Sequence, residues 1–208
     1  MVAADRISQL PEELLLLILS FLPTEYVVVT SLVSKRWRPL WLSVPTLDFD
    51  ELRYLNRRPR YRKQLGFVNF MSTTIQARGS RQPIKEFRLT CYCEDHLTKR
   101  WLNEVIQCGV ENIDVKCYPS FDLPSSIFNC ATLVVLKLRW PFFENNDISS
   151  VYLPSLKTLH LKNAGFLKPQ NFMALLYGCP ILENLEANTV FFLDPSFEGE
   201  FKSFSKLV

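Results

Sequence analysis

The sequence predicts an α/β chain in two parts, a small all-helical unit over residues 1–43 and a solenoid of stacked strand-and-return repeats over residues 44–208. Three observations predict it. First, the template apolar-x-x-apolar-x-apolar recurs at Ile84-x-x-Phe87-x-Leu89, Val110-x-x-Ile113-x-Val115, Leu133-x-x-Leu136-x-Leu138, Leu156-x-x-Leu159-x-Leu161 and Leu182-x-x-Leu185-x-Ala187. Second, the segments between these copies carry helical period or turn residues. Third, the amino-terminal residues place their apolar side chains at helical spacing.

The first residues of the five copies are 26, 23, 23 and 26 positions apart. That period falls in the leucine-rich-repeat range of roughly 20–29 residues. Each repeat is one strand plus a returning segment, and stacked copies share one core. Parallel strands are therefore expected on a concave face, with helices and irregular turns outside. Val44-x-x-Leu47-x-Phe49 also fits the template and predicts a first repeat, 40 residues ahead of Ile84. The insertion between them predicts an amphipathic helix from Gly66 to Arg78, with Phe67, Val68, Phe70, Met71 and Ile75 on its apolar side. Leu97 to Cys108 and Pro169 to Gly178 predict two more helices, the latter stopped by its glycine. Leu123 to Phe128 and Val151 to Pro154 read as shorter, irregular returns. Lys206-Leu207-Val208 resembles a further strand, so the solenoid is expected to be cut short there, without the polar cap that normally finishes one.

Residues 10–22 predict a first helix. Pro11 suits its first turn, Glu12 and Glu13 complement the positive end of its dipole, and Pro23 ends it. Leu14, Leu15, Ile18, Leu19 and Leu22 form a broad stripe that Leu16 and Leu17 widen to nearly the whole circumference. Thr24 is expected to cap a second helix through Val33. A third short helix is expected over Ser34 to Trp41, kinked or shortened by Pro39. These helices carry too many large apolar side chains to cover one another. Pattern alone leaves two readings open: an inward-packed cap of the solenoid, or an adhesive partner site.

The coupled pair Leu10-Pro11-x-Glu13-Leu14-Leu15-x-x-Ile18-Leu19-Ser20-x-Leu22-Pro23 and Ser31-x-Val33-Ser34-Lys35-Arg36-Trp37-Arg38-x-Leu40-Trp41 resembles the F-box motif in both order and spacing. With the continuation Leu42 to Asp50, the chain is similar to the plant-type F-box/FBD/LRR-repeat family, although an FBD segment is not identifiable. The resemblance implies a substrate-recognition subunit of an SCF-type cullin–RING ubiquitin ligase. In that role the F-box docks on the small adaptor subunit and the repeats capture a protein target. It carries an adaptor-binding role, divided with the local core, onto Leu10, Pro11, Leu14, Leu15, Ile18, Leu19, Val33, Ser34, Trp37 and Trp41. The competing reading is a stand-alone leucine-rich-repeat binding module with the helices as a cap.

Side chains alternate along a strand. The positions between the leucine-type residues are therefore expected on the concave face: Glu86, Arg88, Asn112, Asp114, Val135, Lys137, Thr158, His160, Asn184 and Glu186. This ladder of charge and amide suits a protein segment, and any exposed sheet face is polar in any case.

Composition narrows the alternatives. An apolar share of 48% with 22% charged residues is a globular balance. A formal charge of +3 does not demand a polyanionic partner. The basic run Arg53, Arg57, Arg58, Arg60, Arg62 and Lys63, with Tyr54 and Tyr61 interleaved, reads as a solvated linker ahead of a nucleic-acid arm. Cys108, Cys130 and Cys179 each fall just before a repeat strand and are expected as small core fillers. No metal site or cofactor is expected, because only Cys91 and Cys93 are close-spaced and the two histidines, His96 and His160, stand far apart. No phosphate-cradling glycine loop or nucleophile elbow is present, and Cys93 with His96 is the only local nucleophile–base candidate. The protein is thus expected to be a non-catalytic subunit. The apolar run Leu14 to Leu19 is too short for a bilayer span, which needs about 20 residues, and its acidic flanks do not suit a signal peptide. A soluble cytoplasmic or nuclear protein is expected, with no membrane partner.

Overall fold

The computed structural model describes residues 7, 9–56, 63–79, 83–143, 151–193 and 204–205. Two short helices come first, α1 (Glu12–Ser20) and α2 (Thr24–Thr30), followed by a 3-10 turn at Leu40–Leu42. The repeats then alternate strand and return: β1 (Thr46–Asp50), α3 (Glu51–Leu55), α4 (Lys63–Arg78), β2 (Glu86–Cys91), α5 (Asp95–Ile106), β3 (Asn112–Asp122), a 3-10 turn (Ser125–Asn129), β4 (Val135–Phe143), β5 (Thr158–Phe166), α6 (Pro169–Tyr177), β6 (Asn184–Phe192) and β7 (Phe204–Ser205). One sheet holds all seven strands in sequence order. β1 to β6 pair in parallel and β7 joins β6 antiparallel. The strand expected at residues 206–208 lies outside the described residues.

The template residues are the core. Leu47, Phe49, Ile84, Phe87, Leu89, Val110, Ile113, Val115, Leu133, Leu136, Leu138, Leu156, Leu159, Leu161, Leu185 and Ala187 are all buried, while Leu182 is partly buried. Register explains why the stack is continuous. Phe87, Ile113, Leu136, Leu159 and Leu185 are lateral partners across five successive strands. Helices α4 and α5 cover this side with Phe67, Met71, Ile75, Trp101, Leu102 and Val105, and α6 adds Phe172 and Leu175. The backbone repeats as well. The carbonyls of Pro45, Lys85, Glu111, Val134 and Lys157 each accept two N–H groups from the start of the next repeat. The turns into β2 through β6 are each tied in this way to the preceding repeat.

A second regularity lies beyond the template. Trp140, Asn163 and Thr189 have left-handed backbone, at φ of 60°, 52° and 58°. They occupy corresponding positions in β4, β5 and β6, between the paired residues Arg139, Lys162 and Asn188 and the next paired residues of each strand. Each inserts one residue, so burial passes from Leu138 to Pro141, from Leu161 to Ala164 and from Ala187 to Val190. Stacked bulges of this kind bend neighbouring strands together. Beyond the bend, Phe143, Phe166 and Phe192 form a ring ladder, the first pair stacked at 4.1 Å between centroids.

The amino-terminal helices form their own small core of Leu15, Leu19, Val27, Trp37, Leu40 and Val44. Two expectations are corrected here. The third helix is absent: residues 35–39 run as turns and only Leu40–Leu42 closes a 3-10 turn. Pro39 lacks an N–H and its ring obstructs the preceding turn, so a regular helix cannot run through it. Thr24 does not cap α2. Pro23 holds the cap position, and the Thr24 hydroxyl instead accepts the N–H of Asp48 in β1 at 2.8 Å.

Three polar residues join the helices, β1 and its returns. Arg53 Nε reaches Glu25 and its Nη2 reaches Asp48, both at 3.0 Å. Burial alone would lower the Arg53 pKa, but the two carboxylates raise it above its ordinary value. Arg53, read in the sequence as part of a solvated linker, is thus an internal tie; residues 57–62 of that run lie outside the described residues. Arg78 is buried and donates to the carbonyl of Val44. Desolvation lowers its pKa to about 10, which leaves it charged near neutrality. Glu51 is buried too, and accepts the N–H of Tyr92 at 2.5 Å.

Candidate functional site: a helical docking face and an open sheet face

The helix α1 is apolar on every side, yet only one side is covered. Leu15 and Leu19, four residues apart, point into the small core and are fully buried. Leu14 and Ile18, on the neighbouring stripe, are 45% and 43% exposed. Leu17, Phe21 and Leu22 are exposed as well, and so are Leu32 and Val33 after α2, at 83% and 66%. A helix that is apolar all round belongs in an interior, and apolar residues exposed together mark an interaction site.

The structure therefore divides the ten sequence-derived residues. Pro11, Leu14, Ile18 and Val33 are exposed, while Leu10, Ser34 and Trp41 are half-buried. Leu15, Leu19 and Trp37 belong to the chain's own core and have little surface to offer. They shape the face without forming it. The Ser34 hydroxyl is buried with no partner among the described residues. Sequence reasoning passed over Leu17, Phe21 and Leu32; the signal was available, because each is a large apolar residue adjoining the motif.

The second surface is the open side of the sheet. Register arranges its side chains in lateral lanes. Glu86, Asn112, Val135, Thr158 and Asn184 lie in one lane; Arg88, Asp114, Lys137, His160 and Glu186 lie in the next. All ten predicted positions are thus brought onto one face. Glu86 and Arg88 pair at 2.5 Å, and His160 Nδ1 stands 3.4 Å from Glu186. A recess of about 430 Å³ lies over Glu86, Arg88, Asn112, Asp114, Val135 and Lys137.

A third lane follows, missed because the template stops short of it: Thr90, Lys116, Arg139, Lys162 and Asn188. It was legible two residues past each position already taken. Beside it stand Tyr92, Tyr118 and Trp140, with ring centroids 5.5 Å and 3.8 Å apart.

The chemistry of catalysis is not assembled at the one local candidate. Cys93 is buried 3.8 Å from a Glu51 oxygen, whereas His96 is exposed and sits 3.3 Å from Glu94. The Cys93 thiol is raised by its hydrogen bond with Cys91 and by desolvation, which holds it protonated. Desolvation also raises the Glu51 carboxyl above its ordinary value, opposed by the Tyr92 N–H. Cys91 and Cys117 are strand neighbours with sulfurs 3.1 Å apart, and all six cysteines are free thiols. Cys130 and Cys179 are buried as expected, while Cys108 is half-buried. Among the described residues no group of three or more histidine, cysteine or acidic side chains is placed to hold a metal ion.

Comparison with known families gives two matches. Residues 7–49 match the F-box domain, and residues 98–193 match the leucine-rich repeats of the FBD-associated F-box protein At5g56370. The chain carries an F-box followed by leucine-rich repeats of the F-box/LRR kind. It is similar to the Arabidopsis thaliana F-box/LRR-repeat protein At4g14103, 37% identical over 186 residues, covering 87% of this chain and 49% of that protein. The F-box/LRR-repeat protein At4g14096 from the same plant is 40% identical over 187 residues, covering 87% of this chain and 39% of that protein. The putative F-box/FBD/LRR-repeat protein At4g13965, also from Arabidopsis thaliana, is 36% identical over 185 residues, at 88% and 42% coverage. The chain spans less than half the length of these relatives. The matched F-box includes α1, α2 and most of β1, so the exposed stripe of α1 is a feature of the F-box itself.

Proposed function

We propose that this F-box/LRR chain acts as the substrate-recognition subunit of an SCF-type cullin–RING ubiquitin ligase. The F-box docks on the small adaptor subunit, through it on the cullin–RING assembly, and the sheet face captures a protein target. In this reading the chain contributes no catalytic group. It works by raising the target's effective concentration beside a catalytic partner.

The observation that carries the reading is the two-sidedness of α1. Leu15 and Leu19 hold it to the chain, and Leu14, Leu17, Ile18 and Phe21 remain outside. Burying such side chains contributes roughly 1.5–3 kcal/mol each, so a partner groove gains substantially by covering them. Capping and docking use different sides. The helices cap the first repeat through Thr24, Glu25 and Val44, which supports the stand-alone reading as far as it goes. That contact leaves the outer stripe uncovered, and only the ligase reading gives the stripe a use.

The test is co-purification with a recombinant SCF adaptor. The double change Leu14→Asp and Ile18→Asp is expected to abolish the complex while circular dichroism stays that of the parent. Retention of the complex by the folded double variant would overturn the proposal. Among the described residues no helix is long and apolar enough to cross a membrane.

A further inference from the structure

We infer that the sheet face takes an acidic segment of a protein target that carries an aromatic side chain, with its carboxylates on Lys137, Arg139 and Lys162 and its ring on the Tyr118–Trp140 ledge. The inference deepens the target-capture reading above and rests on it for its biological setting.

The charge pattern argues first. Several other cations of the chain are matched by carboxylates: Arg88 with Glu86, Arg53 with Asp48 and Glu25, Lys99 with Asp122, Lys157 with Glu183. Lys116, Arg139 and Lys162 are lateral neighbours on β3, β4 and β5, and Lys137 adjoins them in the next lane. No carboxylate lies within ion-pair distance of any of the four among the described residues. Neighbouring strands are about 4.8 Å apart, so the lane holds three like charges within about 10 Å. Like charges placed side by side repel, and among the described residues no carboxylate pairs with these four to offset it. An anionic ligand would.

Shape argues second. A recess of about 150 Å³ opens over Lys137, Arg139, His160 and Lys162, with Glu186 and Asn188 at its far rim. Glu186 is already engaged by Asn188 at 2.7 Å and by His160. The recess therefore presents mainly donors, which suit a carboxylate through charge-assisted hydrogen bonds.

The ledge argues third. Trp140 holds a left-handed backbone, a conformation costly to a bulky residue. This turn brings its ring to Tyr118, and Tyr118 stacks on Tyr92 at 11° between planes. The Lys116 ammonium lies 6.0 Å from the Trp140 ring centroid. An exposed ring can stack with a second aromatic side chain, and the neighbouring cations can take carboxylates beside it.

The same pattern disfavours a polynucleotide. The cationic lane is short and is bounded by Asp50 at its end and by Asp114 in the adjoining lane. A phosphate backbone needs a longer positive track.

The experiment uses the full chain and three fluorescein-labelled peptides, Glu-Asp-Trp-Glu-Glu, its neutral counterpart Gln-Asn-Trp-Gln-Gln, and Glu-Asp-Ala-Glu-Glu, read by anisotropy at low and moderate salt. The acidic tryptophan peptide is expected to bind best, and to weaken as salt rises. Arg139→Gln with Lys162→Gln should weaken it about tenfold or more, the loss expected for charge-assisted bonds. Trp140→Ala should remove the preference for tryptophan over alanine in the peptide. Equal binding of the neutral peptide, parent-like binding by the Gln variant, or tighter binding of oligothymidylate would overturn the inference. The Leu14→Asp, Ile18→Asp variant should bind the peptide like the parent. Peptide binding without adaptor binding would remove the ligase reading and leave this one standing; adaptor binding without peptide binding would do the reverse.

Discussion

The hydroxyl of Thr24 accepts the backbone N–H of Asp48 at 2.8 Å, and this bond joins the F-box helices to the first strand of the sheet. Asp48 then receives Arg53, which also holds Glu25, the residue after Thr24. The helical layer and the solenoid are thus tied by a closed polar loop. Thr24→Val keeps the shape and removes the acceptor, leaving a part-buried N–H without a partner. It should lower stability by about 1–3 kcal/mol, measured by urea unfolding, without altering the strand content. An unchanged unfolding midpoint would contradict that role.

Leu14 and Leu15 are sequence neighbours with opposite predicted phenotypes. Leu15 is fully buried, so Leu15→Ala should cost about 2–5 kcal/mol in thermal or urea unfolding. Leu14→Ala, at a half-exposed site, should change stability little and weaken adaptor binding instead. A variant pair that showed the same loss in both assays would argue against the division of α1 into a core side and a docking side.

Gly165 sits between Phe142 and Phe191 in the sheet register. A Cβ built there would stand 2.6 Å from both rings. Both rings flank the glycine across the sheet, so Gly165→Ala should destabilise by about 1–3 kcal/mol through overpacking. The check is the unfolding midpoint, and a neutral Gly165→Ala would show that the rings move aside freely.

Thr189 and Asn163 share the left-handed bend, but asparagine tolerates that region and a β-branched residue does not. Thr189→Gly should therefore stabilise, or at least cost nothing, while Asn163→Val should destabilise by about 1–2 kcal/mol. Asn163→Val should lower the melting temperature, and Thr189→Gly should raise it or leave it unchanged.

Glu51 predicts a pH dependence. Its pKa is raised in the folded protein, chiefly by desolvation. The folded state therefore holds this proton more tightly than the unfolded state, whose carboxyl titrates near the ordinary 4.5. The stability it adds is present below that value and is lost as pH rises through the folded pKa. Glu51→Gln keeps an acceptor for the Tyr92 N–H and removes the charge. Its melting temperature at neutral pH should equal or exceed that of the parent, and the parent's gain on mild acidification should be smaller in the variant. A parent whose stability falls steadily on mild acidification, with the variant following it in parallel, would sink the assignment.

The repeat strands were legible because a strand in a stacked sheet must send every second side chain inward, and the leucine template records that demand directly. β1 through β6, α4, α5 and α6 all appear where period and turn residues placed them. The F-box was equally legible as a motif, since its two halves stand at a set distance in the chain. What linear pattern could not show was which side of an all-apolar helix is covered. Leu14, Leu15, Ile18 and Leu19 are alike in kind, and only packing against Val27, Trp37 and Val44 sorts them. The same holds for Arg53 and Glu51, which a charge count places at the surface and which the tertiary contacts enclose. The stacked bend at Trp140, Asn163 and Thr189 carries no glycine to betray it. Local preference opposes a left-handed backbone at two of those three residues, and it is the pairing of adjacent strands that imposes it.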